Sequence, residues 1–134
     1  MLVGRPAVGK ASLAAALARR LPDLRVLDRS AVEGALFDPT DESAAERSIA
    51  FSALLDAARY HLGRGRLVAV ESSGRRGEGD AIRAVAGEAG AFVATIVCAP
   101  ADLEPADDYL TVDTTLAIDE VVELAVGYID EMAQ

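Results

Sequence analysis

Two glycines, Gly4 and Gly9, with Lys10 directly after the second, constrain this chain more than any other feature in it. A short apolar run, residues 1–3, enters the segment Gly4-Arg5-Pro6-Ala7-Val8-Gly9-Lys10-Ala11, and helix-forming sequence leaves it. Such a stretch folds as strand, tight loop and helix, because glycine accepts backbone conformations that a side chain resists. The loop's N–H groups and the positive end of the helix then converge on one point. The segment matches the phosphate-binding pattern GxxxxGK[ST] at every fixed position but the last, where Ala11 stands in place of a hydroxyl residue. In that pattern the amides cradle a di- or triphosphate and the lysine ammonium reaches its terminal phosphates. The expected nucleotide-binding set is Gly4, Arg5, Pro6, Ala7, Val8, Gly9, Lys10, Ala11 and Ser12.

Composition sharpens this reading. Of 13 basic residues Lys10 is the only lysine, so a chain that otherwise uses arginine keeps a slim point charge where phosphate is expected. The formal net charge of −9 argues against a nucleic-acid groove, which needs a basic stripe, while a nucleotide needs only a local positive site. At 134 residues and 51% hydrophobic content the chain has room for one core, and a single nucleotide-binding domain over residues 1–134 is expected. The one cysteine, Cys98, excludes an internal disulfide and fits a reducing compartment. No stretch approaches the roughly 20 apolar residues of a membrane span, and no signal peptide is recognisable. A cytoplasmic protein without membrane partners is the expectation.

Along the chain, short apolar runs alternate with helical stripes. Residues 1–3 read as a first strand; a central strand is usually longer, which points to residues upstream. Leu13, Leu17 and Leu21 mark a helix over residues 9–21, ended by Pro22. Residues 24–27 form a second strand with Asp28 just past its end, and Ser30 caps a short helix through Leu36. Beyond a polar loop, residues 38–43, a long helix buries Phe51, Leu54, Leu55, Ala58 and Leu62 and stops at Gly63 and Gly65. Residues 67–70 suit a strand covered on both sides, with Glu71 at its end. After the loop 72–77, Ile82, Val85, Ala86 and Ala89 mark a helix closed by Gly90. Residues 92–97 and 109–112 are the fourth and fifth strands. The last helix presents Ile118, Val121, Val122, Ala125, Ile129 and Met132 on one side.

Alternation of this kind implies parallel pairing through right-handed crossovers, hence a three-layer α/β/α domain. In open parallel sheets the ligand sits outside the carboxyl ends of the strands. That places Gly4, Lys10, Asp28 and Glu71 on one rim.

The chain resembles the small P-loop kinases that phosphorylate metabolites and other small hydroxyl compounds, the group around gluconate kinase, chloramphenicol phosphotransferase and the zeta toxins. The resemblance runs through Val3-Gly4-Arg5-Pro6-Ala7-Val8-Gly9-Lys10, Val26-Leu27-Asp28-Arg29, Leu62-Gly63-Arg64-Gly65-Arg66, Leu67-Val68-Ala69-Val70-Glu71 and Leu110-Thr111-Val112-Asp113-Thr114. It implies a five-stranded parallel sheet of order 2-3-1-4-5, ATP with Mg²⁺ as cofactors, and transfer of the terminal phosphate to an acceptor hydroxyl. It further implies Lys10 as a catalytic contact to phosphate, Asp28 as the base that receives the hydroxyl proton, and Glu71 as a Walker B-like acid holding Mg²⁺ through water.

Two departures stand against full activity. Ala11 replaces the hydroxyl that normally binds Mg²⁺, and Ser12 points off at a different angle around the helix. The connector 99–108 contains no arginine where the resembling kinases carry an arginine-bearing lid, leaving Arg75, Arg76 and, inside the loop, Arg5 to grip phosphate. A nucleotide-binding module with little or no catalysis is thus the second reading. A GTP switch is weaker, because a chain without asparagine cannot carry the guanine-reading NKxD motif. His61 reads as a helix-end residue, Cys98 as a small core residue and Asp113 as a turn former. The acceptor and the oligomeric state are not written in the sequence.

Overall fold

The computed structural model describes residues 1–4, 9–38, 44–72, 77–98, 109–113 and 115–134. Along the chain run β1 (Leu2–Val3), α1 (Lys10–Arg20), β2 (Leu24–Leu27), α2 (Arg29–Leu36), α3 (Ala44–Gly63), β3 (Leu67–Ser72), α4 (Glu78–Glu88), β4 (Ile96–Cys98), β5 (Leu110–Val112) and α5 (Ile118–Met132). The strands form one parallel sheet of order β2-β3-β1-β4-β5. This is the α/β/α layering and strand order expected from the sequence.

Alternation along β3 divides the interior in two. Ala69 packs with Leu2, Leu13, Leu17, Ile96, Val112, Val121 and Ala125 beneath α1 and α5. Val68 and Val70 turn to the opposite face and meet Leu54 and Ile82 of α3 and α4. Strand side chains alternate, so one strand covered on both faces feeds both cores, and its near-continuous apolar sequence follows from that. The alanines of α1 let that helix approach the sheet closely; Ala14 is 1% and Leu13 0% exposed. On α3 the buried stripe is Ala50, Leu54 and Ala58, spaced by four, with Phe51, Leu55 and Leu62 half-buried at its margins. The left-handed backbone at Gly65, φ 73°, turns the chain from α3 into β3.

Several element ends differ from the sequence expectation. Strand β3 continues to Ser72, because Glu71 and Ser72 pair with Leu2 and Val3 of β1. Strand β4 begins only at Ile96, the residue that pairs with Leu2, so residues 92–95 lie ahead of the ladder and Phe92 is 45% exposed. Asp28, not Ser30, caps α2: its carboxylate accepts from the N–H groups of Ser30 and Ala31. Ala89 falls beyond the end of α4 and is exposed, and Ile118 and Met132, at the first and last positions of α5, are exposed where a buried face was expected. Arg5, Pro6, Ala7 and Val8, the polar loop beyond Asp38, Arg75 and Arg76, the connector 99–108 and Thr114 lie outside the described residues. Among the described residues no helix is long and apolar enough to cross a membrane.

Candidate functional site

Strand β1 ends at Val3, and the Gly4 N–H donates to the Ser72 carbonyl at 3.2 Å, tying the start of the glycine segment to the end of β3. The segment closes at Gly9, whose φ of 90° lies in the left-handed region that a Cβ resists. Helix α1 starts directly after it, its first intrahelical bond running from the Leu13 N–H to the Gly9 carbonyl at 3.0 Å. Among the described residues no side chain caps this end, and no acid lies in its first turn. An α-helix leaves its first N–H groups without intrahelical acceptors and carries partial positive charge there. Lys10 adds a full positive charge at the same end, an arrangement unfavourable for a bare helix and complementary to a bound anion.

The Lys10 side chain turns back to the carboxyl ends of β1 and β3 and is part-buried there. Its Nζ donates to the Gly4 carbonyl at 2.6 Å and to the Ser72 carbonyl at 3.3 Å. Two carbonyl dipoles hold the ammonium without neutralising it.

Glu71 sits beside Lys10 on β3, in register with Leu2 and half-buried. Burial pushes its carboxyl above the usual glutamate range; the Lys10 charge pulls it back, and the negative charge of Asp28 pushes it up again. The charges of Lys10 and Asp28 are thus both felt at Glu71. Asp28 spends Oδ1 on the α2 cap, at 2.9 Å from the Ser30 nitrogen and 3.3 Å from that of Ala31. Among the described residues nothing hydrogen-bonds its Oδ2. Ala11 and Ser12 are exposed on the first turn of α1.

Behind this rim lies a polar chain that the sequence reading missed. The Ser72 hydroxyl donates to Glu78 Oε1 at 3.1 Å, and Arg29 Nη1 donates to Glu78 Oε2 at 2.9 Å. Arg29 Nε also reaches Glu33 at 3.2 Å, and its guanidinium lies 5.1 Å from the centroid of the Phe51 ring. Glu78 is only 8% exposed. Burial alone would lower the Arg29 pKa; hydrogen bonds to Glu78 and Glu33 and their charges outweigh it and hold the guanidinium above its ordinary value. The available sequence signal was Glu78 in the first turn of α4, a favourable place for an acid, but its partners are remote in sequence.

The remaining polar residues sit in structural roles. Cys98 is 1% exposed, and burial, partly opposed by Lys10, raises its thiol to about 11. Asp113 accepts from the hydroxyl and the N–H of Thr115 at 2.6 and 2.9 Å, closing the turn after β5. His61 meets Arg66 at 3.0 Å and the edge of Tyr60 at the far end of α3.

No family model and no curated protein sequence matches the chain. Solved structures do. A candidate kinase from Chloroflexus aurantiacus superimposes with a TM-score of 0.75 at 22% identity, over 98% of this chain and 95% of that one. The APS kinase of Mycobacterium tuberculosis gives 0.75 at 24% identity, over 96% and 94%. The same enzyme in complex with AMPPNP and APS gives 0.73 at 19%, over 96% and 95%. At these identities the likeness is one of fold, and that fold, with its five parallel strands in the order β2-β3-β1-β4-β5, is that of the P-loop kinases.

Proposed function

We propose that this chain is a single cytoplasmic nucleotide-binding domain that holds ATP on the rim formed by Gly4, Gly9 and α1, and passes its terminal phosphate to the hydroxyl of a small molecule. The observation that carries the reading is the position of the chain's only lysine: Lys10 lies over its own helix end, on the carbonyls of Gly4 and Ser72 and in the field of Glu71 and Asp28. A phosphate at that helix end would meet the first amides of α1 and the ammonium together. The APS kinase with this fold was solved with a nucleotide and a small acceptor, which supports both ligand classes.

In this reading residues 4–12 bind the phosphates, with Arg5, Arg75 and Arg76 as further cationic contacts. Lys10 offsets the charge that builds on the transferred group. Asp28 takes the proton of the acceptor hydroxyl on Oδ2 as the acceptor oxygen bonds to the terminal phosphorus and the bond to the bridging oxygen of ADP breaks. Toward Mg²⁺ the residues present fit only in part: Ala11 offers a methyl group, and Glu71, the carboxylate carried by β3, lies in the field of Lys10. Magnesium, when bound, would be held by phosphate and water with Glu71 behind the water, and would supply charge neutralisation.

Ala11 also supports a second reading, a nucleotide-binding module with weak or no turnover. Mg²⁺-dependent ATP turnover in the parent and in Ala11→Ser separates the two. A competent site gains at least tenfold when the hydroxyl is supplied; no gain, with ATP still bound, favours the module.

A further inference from the structure

Arg29 and Glu78 lie outside the set that would touch nucleotide or acceptor, yet they join its two halves. On the phosphate side, Ser72 gives its carbonyl to Lys10 at 3.3 Å and to the Gly4 N–H at 3.2 Å. The same residue gives its hydroxyl proton to Glu78 at 3.1 Å. On the acceptor side, Arg29 directly follows Asp28 and bonds Glu78 at 2.9 Å. The bridge is hardly hydrated: the side chains of Arg29 and Glu78 are 16% and 10% exposed. Phe51 covers the guanidinium from α3, and Glu33 holds its Nε from one turn along α2.

We propose that Arg29 and Glu78 are positioning residues that fix the Asp28-bearing junction of β2 and α2 to the end of β3, so that Asp28 and Lys10 keep one geometry. The inference rests on the nucleotide reading above. Its physical basis is the way α2 is held. No residue of α2 is fully buried, and its apolar anchor in the first turn is the half-buried Val32, packed against the Leu54 and Val70 core. Beside that contact, Arg29 of the first turn is held by an ion pair to Glu78 in a poorly hydrated place, where breaking one partner is costly and geometry is well defined. β3 provides the other anchor through Ser72, the residue whose main chain receives the lysine. A phosphate that orders Lys10 and the glycine segment also orders Ser72, and through Glu78 and Arg29 the start of α2.

The test uses AMPPNP and amide hydrogen exchange on the full chain. In the parent, saturating AMPPNP should raise the melting temperature and slow exchange of the Ser30 and Ala31 amides, those capped by Asp28, by about tenfold. Glu78→Gln and Arg29→Gln should still be stabilised by AMPPNP, yet lose its effect on those two amides; Arg29→Lys, which keeps the charge, should recover part of it. If both variants merely melt earlier while AMPPNP still slows Ser30 and Ala31 as in the parent, the pair is structural and the proposal is wrong. If AMPPNP fails to stabilise the parent, the nucleotide reading falls and this inference with it. Should the Gln variants fail to fold, Ser72→Ala, which removes the hydroxyl donor to Glu78, carries the same test with the same outcomes.

Discussion

Asp28 accepts two amide protons on one oxygen, and among the described residues nothing hydrogen-bonds the other, so two substitutions separate capping from proton acceptance. Asparagine caps helices as well as aspartate but accepts no proton at neutral pH. Asp28→Asn should leave stability within about 0.5 kcal/mol of the parent in urea unfolding. The same variant should remove ATP turnover if the parent, or Ala11→Ser, shows any. Asp28→Ala should lose turnover and also about 1 kcal/mol of stability. Glu71 carries a different test. Its folded pKa is raised by burial, so the folded state binds the proton more readily than the unfolded one. Its contribution is fully favourable below the ordinary glutamate pKa of 4.5 and is lost as pH rises through the raised value. Glu71→Gln should therefore melt higher than the parent at neutral pH, with the difference closing near pH 4. An equal difference across that range would show that Glu71 is solvated like a surface carboxylate. At this scale the sequence singles out Lys10, Asp28 and Glu71 as candidates, because strand ends beside a glycine loop are readable from local pattern. It missed Ser72, Glu78 and Arg29, whose hydrogen bonds join three separate elements and leave no local trace.

Helix α3 shows how an element's packing follows from spacing. Ala50, Leu54 and Ala58 recur every four residues and all three are buried, with Leu54 1% exposed among Val70 and Ile82. Leu54→Ala should cost about 3 kcal/mol, read as a lower urea midpoint with unchanged slope, because the cavity lies between helix and sheet where neither can collapse freely. A loss below 1 kcal/mol would mean that this second core is loosely packed. Helix periods were legible because burial repeats with the turn. Strand ends were less so: β4 is set by its partner, β1, which contributes only Leu2 and Val3, and the apolar run 92–95 says nothing about where that partner lies. Likewise β3 outran its apolar stretch, since its main chain pairs with β1 whatever the polarity of Glu71 and Ser72.

Taken whole, the molecule is a sheet with two dissimilar faces and one edge that carries the candidate site. Alternating strand and helix signals were enough to give the layers, since parallel strands admit few connections. The strand order came from resemblance to known kinases, because apolar patterning leaves permutations of equivalent strands nearly degenerate. In a chain of net charge −9, the N-terminal turn of α1 holds no acid and begins with the chain's one lysine. Electrostatic contrast of that kind favours a polyanion only if the lysine on the Gly4 and Ser72 carbonyls can turn to it. The most direct measurement is a calorimetric titration of the parent and of Lys10→Ala with ATP. Saturable binding by the parent, weakened at least tenfold (about 1.4 kcal/mol) in Lys10→Ala while its fold is intact, is the predicted result. Absence of binding by the parent, or equal affinity in both proteins, would contradict a phosphate site at this helix end.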